Sequence, residues 1–267
     1  MPSSRGTSRL AATGASAGSL RRGSSPADSL RRWRVRLHHV GPSGIGTTSS
    51  PWSSATCAIW PHIASLDVLP RLLSLAASHS ARLLNVSDLA APFQLSRPTI
   101  KDAVTLLEQV FLLETLAPWH SNRLSRLIKT PKLHLGDTGV VCALLGLDAE
   151  SLREDRQLLG QLLETFVFQE LRRQASWHED DVRFHHFRDK DGAEVDLVLE
   201  YGGRALAGIE VKAAATVTAA DFRGLRKLRD AAEKRFAIGG VLYDGEASVS
   251  FGDGMYAVPI RALWELV

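Results

Sequence analysis

Between residues 194 and 212 the sequence spaces acidic and basic side chains as a hydrolytic or metal-binding site would. The segments Glu194-Val-Asp196-Leu-Val-Leu-Glu200 and Ala205-Leu-Ala-Gly-Ile-Glu210-Val-Lys212 flank the turn residues Tyr201-Gly-Gly-Arg204. Both flanks read as strands, and the turn decides which side chains meet. A two-residue turn at Gly202-Gly203 sets Asp196 against Ile209 and Val195 against Glu210. A three-residue loop, 202–204, sets Val195 against Val211, Leu197 against Ile209 and Leu199 against Ala207, which makes one continuous apolar face. A slip of one residue turns every side chain over, so the matched face selects the second register. Asp196 then lies opposite Glu210 and Glu194 opposite Lys212, with Gly203 available for a left-handed loop position. The facing carboxylates have Cβ atoms roughly 4.5–5.5 Å apart in such a pair.

Carboxylates that close repel, and one pKa rises. A hard divalent cation, Mg2+ or Mn2+, turns that repulsion into binding, because such ions take oxygen ligands from carboxylates, phosphate and water. Asp196 and Glu210 are therefore the expected metal ligands and catalytic carboxylates. Lys212 projects from the same strand face as Glu210 and is expected to act on an attacking water or to neutralise phosphate. Glu164, on a helix expected at 158–174, is the expected third ligand, with Glu170 on that helix as its competitor. The plainer reading is a solvated hairpin face with cross-strand ion pairs. His185 and His186 are adjacent on a strand, so they point to opposite faces and read as structural.

The elements that must hold these residues follow from periodicity. A helix at 66–77 buries Leu69, Leu72, Leu73 and Ala76. A short helix after 85 is capped by Asn85 or Ser87, and Phe93-Gln-Leu-Ser96 forms a turn. Ser96 caps a longer helix with Pro98 in its first turn and Ile100, Ala103, Val104 and Leu107 on its apolar face. Strands follow at 111–116 and 132–135, which completes the order of a winged helix-turn-helix over 61–135. Arg97, Thr99 and Lys101 then lead the recognition helix, and Arg123, Arg126, Lys129 and Lys132 lie in a basic loop by the wing, where cations contact DNA phosphates. Asp88 and Asp102 weaken that surface, and the winged helix serves equally as a packing module. From 136 to 267 the pattern changes. Helices are expected at 138–147 and 158–174, strands at 182–187, 193–200 and 206–213, a helix at 218–234 and a strand at 236–243. The overall class is α/β (α+β), with an αβββαβ unit at its C-terminal end.

Composition narrows the function classes. The 267 residues are 45% hydrophobic and 23% charged, which is a globular balance. No apolar run reaches the roughly 18 residues of a spanning helix, so no membrane role is expected. Two cysteines far apart exclude a disulfide framework and suit a reducing cytoplasm. Residues 1–60 hold eight arginines and one acid, a net +7 against +3 for the whole chain, so the remainder is net −4. Whole-chain basicity is thus no argument for nucleic acid, and any DNA contact in the body must be local. This leader is rich in Ser, Gly, Ala and Arg and reads as disordered or degenerate. Gly41-Pro-Ser-Gly-Ile-Gly46-Thr47-Thr48 has the outline of a phosphate loop, but Thr47 stands where lysine is needed, so no nucleotide site is expected.

Asp196 and Glu210-Val-Lys212 across a hairpin, preceded by Gly160-Gln-Leu-Leu-Glu164 on a helix, resemble the PD-(D/E)xK nuclease pattern, with Val195 in place of the proline. Further segments extend a second resemblance along the chain: Leu69-Pro-Arg-Leu-Leu, Asn85-Val-Ser-Asp-Leu-Ala, Ser96-Arg-Pro-Thr-Ile, Pro118-Trp-His-Ser-Asn122, Lys129-Thr-Pro-Lys-Leu, Asp137-Thr-Gly and Leu163-Glu-Thr-Phe-Val. From about residue 61 to the end the chain resembles the C-terminal region (domain of unknown function 4143) of prokaryotic AAA-type ATP-binding proteins. The resemblance implies a restriction-endonuclease-like domain beside the winged helix and an ATPase domain that this chain lacks. It makes a Mg2+- or Mn2+-dependent nuclease acting on DNA the first expectation. A non-catalytic DNA-binding or docking module of an ATPase, or a truncated relic unable to bind ATP, are the alternatives, and the expected partners are DNA and either a separate ATPase domain or a second copy of the chain.

Overall fold

The computed structural model describes residues 68–121, 130–177 and 181–265. The leader, the Gly41–Thr48 segment and the loop carrying Arg123, Arg126 and Lys129 lie outside the described residues. Within them lie seven α-helices and nine strands, and the strands form two sheets.

The first part is built from α1 (Val68–Ser78), β1 (Arg82–Leu83), α2 (Val86–Ala90), α3 (Arg97–Gln109), β2 (Leu113–Leu116) and β3 (Lys132–Leu135). Local chemistry sets the helix starts. The Asn85 side chain accepts from the Ser87 N–H at 3.0 Å, and Ser96 accepts from the Thr99 N–H at 3.3 Å. The apolar face expected for α3 is buried at all four positions, Ile100, Ala103, Val104 and Leu107. It packs with Leu72 and Ala76 of α1 and with Leu113, Leu133 and Leu135. Strand β3 runs between β1 and β2, antiparallel to both. Residues 111–112 do not extend β2, because Phe111 takes a left-handed backbone (φ 62°) in a tight turn out of α3.

After α4 (Thr138–Leu145) and α5 (Ala149–Glu154), α6 (Arg156–Ala175) enters the second part. It is followed by β4 (Val182–Arg188), β5 (Glu194–Tyr201), β6 (Ala205–Lys212), α7 (Arg223–Ala232) and β7 (Phe236–Tyr243), the αβββαβ order expected. Two strands beyond that order, β8 (Val249–Gly252) and β9 (Met255–Pro259), escaped the sequence reading, as did α5. The sheet runs β4-β5-β6-β7-β9-β8, with β6–β7 and β7–β9 parallel and the other pairs antiparallel.

One face of this sheet packs on α6 through Val167, Phe168, Leu171, Leu197, Leu199, Ala207 and Ile209. The other packs on α7 through Val195, Val198, Leu206, Leu225 and Leu228. Helix α7 comes so close that a Cβ on Gly224 would stand 1.8 Å from the Glu194 carbonyl oxygen, so only glycine fits there. Helix α6 is buried around most of its girth. Leu162 faces the first core, Phe168 the second, and Glu164, Thr165 and Gln169 are buried polar groups between them. No described helix is long and apolar enough to cross a membrane.

Candidate functional site

The hairpin between β5 and β6 adopts the register set by the three-residue loop. Leu197 pairs with Ile209, Leu199 with Ala207 and Tyr201 with Ala205. Gly202 and Gly203 both take positive φ, and the Arg204 N–H closes the loop on the Tyr201 carbonyl at 3.0 Å. The paired residues end at Leu197 and Ile209, however. Beyond them the Val211 N–H donates to the Asp196 carboxylate at 2.9 Å, a side chain standing where a strand carbonyl would.

The cause lies on the other side of β5. His185 pairs with Val198 and Phe187 with Val195, so Asp196 and Leu197 together face the single residue His186. This is a β-bulge, which breaks the ladder and re-aims side chains. It separates Val195, packed against α7, from Leu197, packed against α6. The expected continuous face Val195–Leu197–Leu199 is corrected accordingly: alternation holds from Leu197 onward and reverses at the bulge.

What Asp196 meets is a lysine from the first part of the chain. Lys132, at the start of β3, donates to Glu164 Oε1 at 2.7 Å and to Asp196 Oδ1 at 3.1 Å. Lys132 is 5% exposed and Glu164 8%. Lys132, expected to face DNA from the basic loop, instead carries its ammonium inside the protein. Burial pulls the Lys132 pKa down, but the carboxylates of Asp196 and Glu164 outweigh it and hold the ammonium above its ordinary range. Burial and the Asp196 charge push the Glu164 carboxyl well above the usual range, against the pull of Lys132.

Glu210 is drawn toward the same centre. Burial first, then the Asp196 charge, push its carboxyl well above the usual range, while Lys132 opposes them. Its Oε2 is shielded from solvent and has no hydrogen-bond partner. Lys212 is held elsewhere. Its ammonium contacts Asp221, which also accepts from the Thr218 N–H at 2.7 Å ahead of α7. Glu194, expected opposite Lys212, pairs with Arg188 at 2.8 Å. Glu170 bonds Arg173 and Gln174 on its own helix.

Two histidines frame the centre. His134 shares β3 with Lys132 and is fully buried. Its Nδ1 lies 3.0 Å from Thr165 Oγ1, and its Nε2 lacks a hydrogen-bond partner 3.9 Å from Glu164 Oε1. Ser80 lies 2.9 Å from the same threonine hydroxyl. His186 Nε2 donates to the Thr130 carbonyl at 3.3 Å. Burial, then the Lys132 charge, lower His186 to about 4 and His134 well below its usual value, so both are neutral at pH 7. His134 was missed in the sequence; the signal was the alternation in Lys132-Leu-His-Leu, which sends both polar side chains to one face.

The donor set of Glu164, Asp196 and Glu210 suits a hard cation, but as arranged it does not fit one. Among the described residues no three His, Cys, Asp or Glu side chains are placed to hold a metal ion. Lys132 stands between two of the carboxylates, and a second cation there would be repelled at short range.

On the first part, Arg97 and Lys101 are exposed at the start of α3, beside exposed Asp88 and Asp102. Thr99 bonds the capping Ser96 hydroxyl at 2.8 Å.

Residues 159–263 match the family model "Domain of unknown function (DUF4143)", and residues 61–151 match "Domain of unknown function (DUF8612)". The expected resemblance from 61 to the end is therefore divided between two families. Two uncharacterized mycobacterial proteins, Mb2031c of Mycobacterium bovis and Rv2008c of Mycobacterium tuberculosis, are each 28% identical over 190 residues, 71% of this chain and 41% of theirs. The chain thus spans about two fifths of the length of the curated relatives it matches. Among solved structures, a Thermococcus gammatolerans assembly of McrB AAA+ hexamers with bound McrC is 10% identical, covering 72% of this chain and 71% of that chain at a TM-score of 0.30. A superposition of that extent does not define a shared fold.

Proposed function

We propose that this chain is a non-catalytic DNA-binding module of an ATP-dependent machine whose ATPase lies on another domain or chain. In this reading α1–β3 is a winged helix and α6–β7 a restriction-endonuclease-like unit that has kept the carboxylates and lost the metal. The observation that carries it is the Lys132 ammonium between Glu164 and Asp196, which already supplies the positive charge a nuclease takes from its ion. Lys212 supports it too, since a lysine engaged by Asp221 does not face an attacking water. DNA would meet the N-terminal turn of α3, where Arg97 and Lys101 are exposed and where a helix-turn-helix enters the groove. The test is fluorescence anisotropy on a labelled duplex. Replacing Arg97 and Lys101 together by alanine should weaken retention and flatten its salt dependence by roughly two phosphate contacts. Chelating divalent ions should change nothing. Retention that ignores both substitutions, or no retention at all, overturns the reading.

One observation favours the metal-dependent nuclease instead: the partnerless Glu210 Oε2 beside Asp196 is an acceptor without a cation. That reading predicts Mn2+-dependent cleavage lost in Asp196→Asn.

A further inference from the structure

The carboxylate centre draws on four elements far apart in sequence: Lys132 and His134 on β3, Glu164 on α6, Asp196 on β5 and Glu210 on β6. Acids alone would not make this a cation site. Two other observations do. A cation is already bound there, since the Lys132 ammonium sits 2.7 Å from Glu164 and 3.1 Å from Asp196, itself 5% exposed. A fully buried nitrogen, His134 Nε2, faces Glu164 at 3.9 Å with no hydrogen-bond partner.

We infer that Glu164, Asp196 and Glu210, with His134 at their edge, form a cation site whose built-in occupant is Lys132, and that a divalent ion and the Lys132 ammonium exclude one another from it. Both place positive charge within bonding distance of the same oxygens, and both at once would bring like charges within a few ångströms with little water between them. The lysine is tethered by β3, so a free ion must compete with a cation already held beside the carboxylates. It also fastens the first sheet to α6 and to the second sheet, because β3 delivers it while Glu164 stands on α6 and Asp196 on β5. The inference deepens the proposed function by giving the reason the nuclease-like centre takes no metal.

The test is calorimetric titration of Mn2+ into the full chain, into Lys132→Met, and into Lys132→Met combined with Asp196→Asn. Methionine keeps the apolar stem and removes the charge. The parent should show no saturable Mn2+ binding that depends on Asp196. Lys132→Met should gain a saturable site at least about tenfold tighter than any in the parent. The double variant should lose it, and Mn2+ should raise the melting temperature of Lys132→Met alone. A folded Lys132→Met that binds no Mn2+ overturns the inference, as does a parent that binds Mn2+ at the same Asp196-dependent site equally well. If Lys132→Met fails to fold alone, recovery of its circular dichroism with Mn2+ but not with added Na+ supports the inference; no recovery with Mn2+ overturns it. These readouts are separate from DNA retention, so the DNA-binding reading and the cation-exclusion inference fail independently.

Discussion

At the scale of the residue, one positive charge, the Lys132 ammonium, organises the centre, and burial has made Glu164, Glu210, His134 and His186 around it unwilling to ionise. Glu210 is the least compensated, because its Oε2 is sealed from water and its carboxyl is held well above the ordinary range by burial and by Asp196. The sign of its effect on stability follows. Below the unfolded value, near 4.5, the group is protonated in both states and contributes no difference. As pH rises from there toward the folded value, the unfolded chain releases its proton first, so stability is lost with rising pH. Glu210→Gln removes that loss while keeping the shape. Urea denaturation should show the variant equal to the parent near pH 4 and more stable by about 1 kcal/mol or more at pH 8. A gain that does not grow with pH would show that the carboxyl is solvated. His186 acts in the opposite direction. Its folded value of about 4 lies below the unfolded 6.5, so across that window stability falls as pH falls.

At the scale of the element, two irregularities aim the site. The bulge in β5 turns Asp196 away from the simple alternation, and the tight approach of α7 holds β5 where the bulge requires it. Gly224 separates two opposing effects that magnitude resolves. Gly224 is the second residue of α7, where the advantage of alanine over glycine is at most that of a helix interior, about 1 kcal/mol. A Cβ at 1.8 Å from the Glu194 carbonyl oxygen, however, cannot be accommodated without moving α7 or β5. The obstacle is backbone, so the clash wins, and Gly224→Ala should destabilise by about 2 kcal/mol or more in thermal unfolding. Neutral or stabilising behaviour would mean that the helix slides freely on the sheet. The strands and helices themselves were legible in the sequence where one face is apolar: the β5–β6 register followed from the loop length and the matched residues Leu197, Leu199, Ala207 and Ile209. The bulge was not, because an inserted residue leaves each flanking run with intact alternation and shows only against the partner strand. The short pair β8–β9 lacked a long enough period, and its glycine and serine residues read as loop.

At the scale of the whole molecule, α6 is shared property. Leu162 belongs to the core under the three-stranded sheet, while Val167, Phe168 and Leu171 belong to the core under the six-stranded one. The polar strip between them, Glu164, Thr165 and Gln169, is bonded to Lys132, His134 and the Leu135 carbonyl of β3. Removing either sheet would expose half of this helix and strand the buried charges. The described parts should therefore unfold together. Far-ultraviolet circular dichroism, which follows α1–α3 as well as α6, and fluorescence of the buried Trp119, read in a variant whose five other tryptophans are phenylalanine, should give coincident midpoints in urea. Separate midpoints would show that α6 belongs to one part only.

The division between what sequence and tertiary structure decide follows from distance along the chain. Helix faces, caps at Asn85 and Ser96, the glycine loop and the hairpin register depend on neighbours within about twenty residues, where period and turn chemistry act directly. They were readable from the residues alone, as were Asp196 and Glu210 as the acids of the hairpin, while the choice of Glu164 over Glu170 on α6 came with the fold. Which cation those acids hold was decided only by folding. Lys132 is 32 residues from Glu164 and 64 from Asp196, and no periodicity links such positions. In the sequence it was one basic residue at the end of a basic loop. Burial between two sheets made it an internal counter-charge, because a lysine with no water near it is stable only against carboxylates.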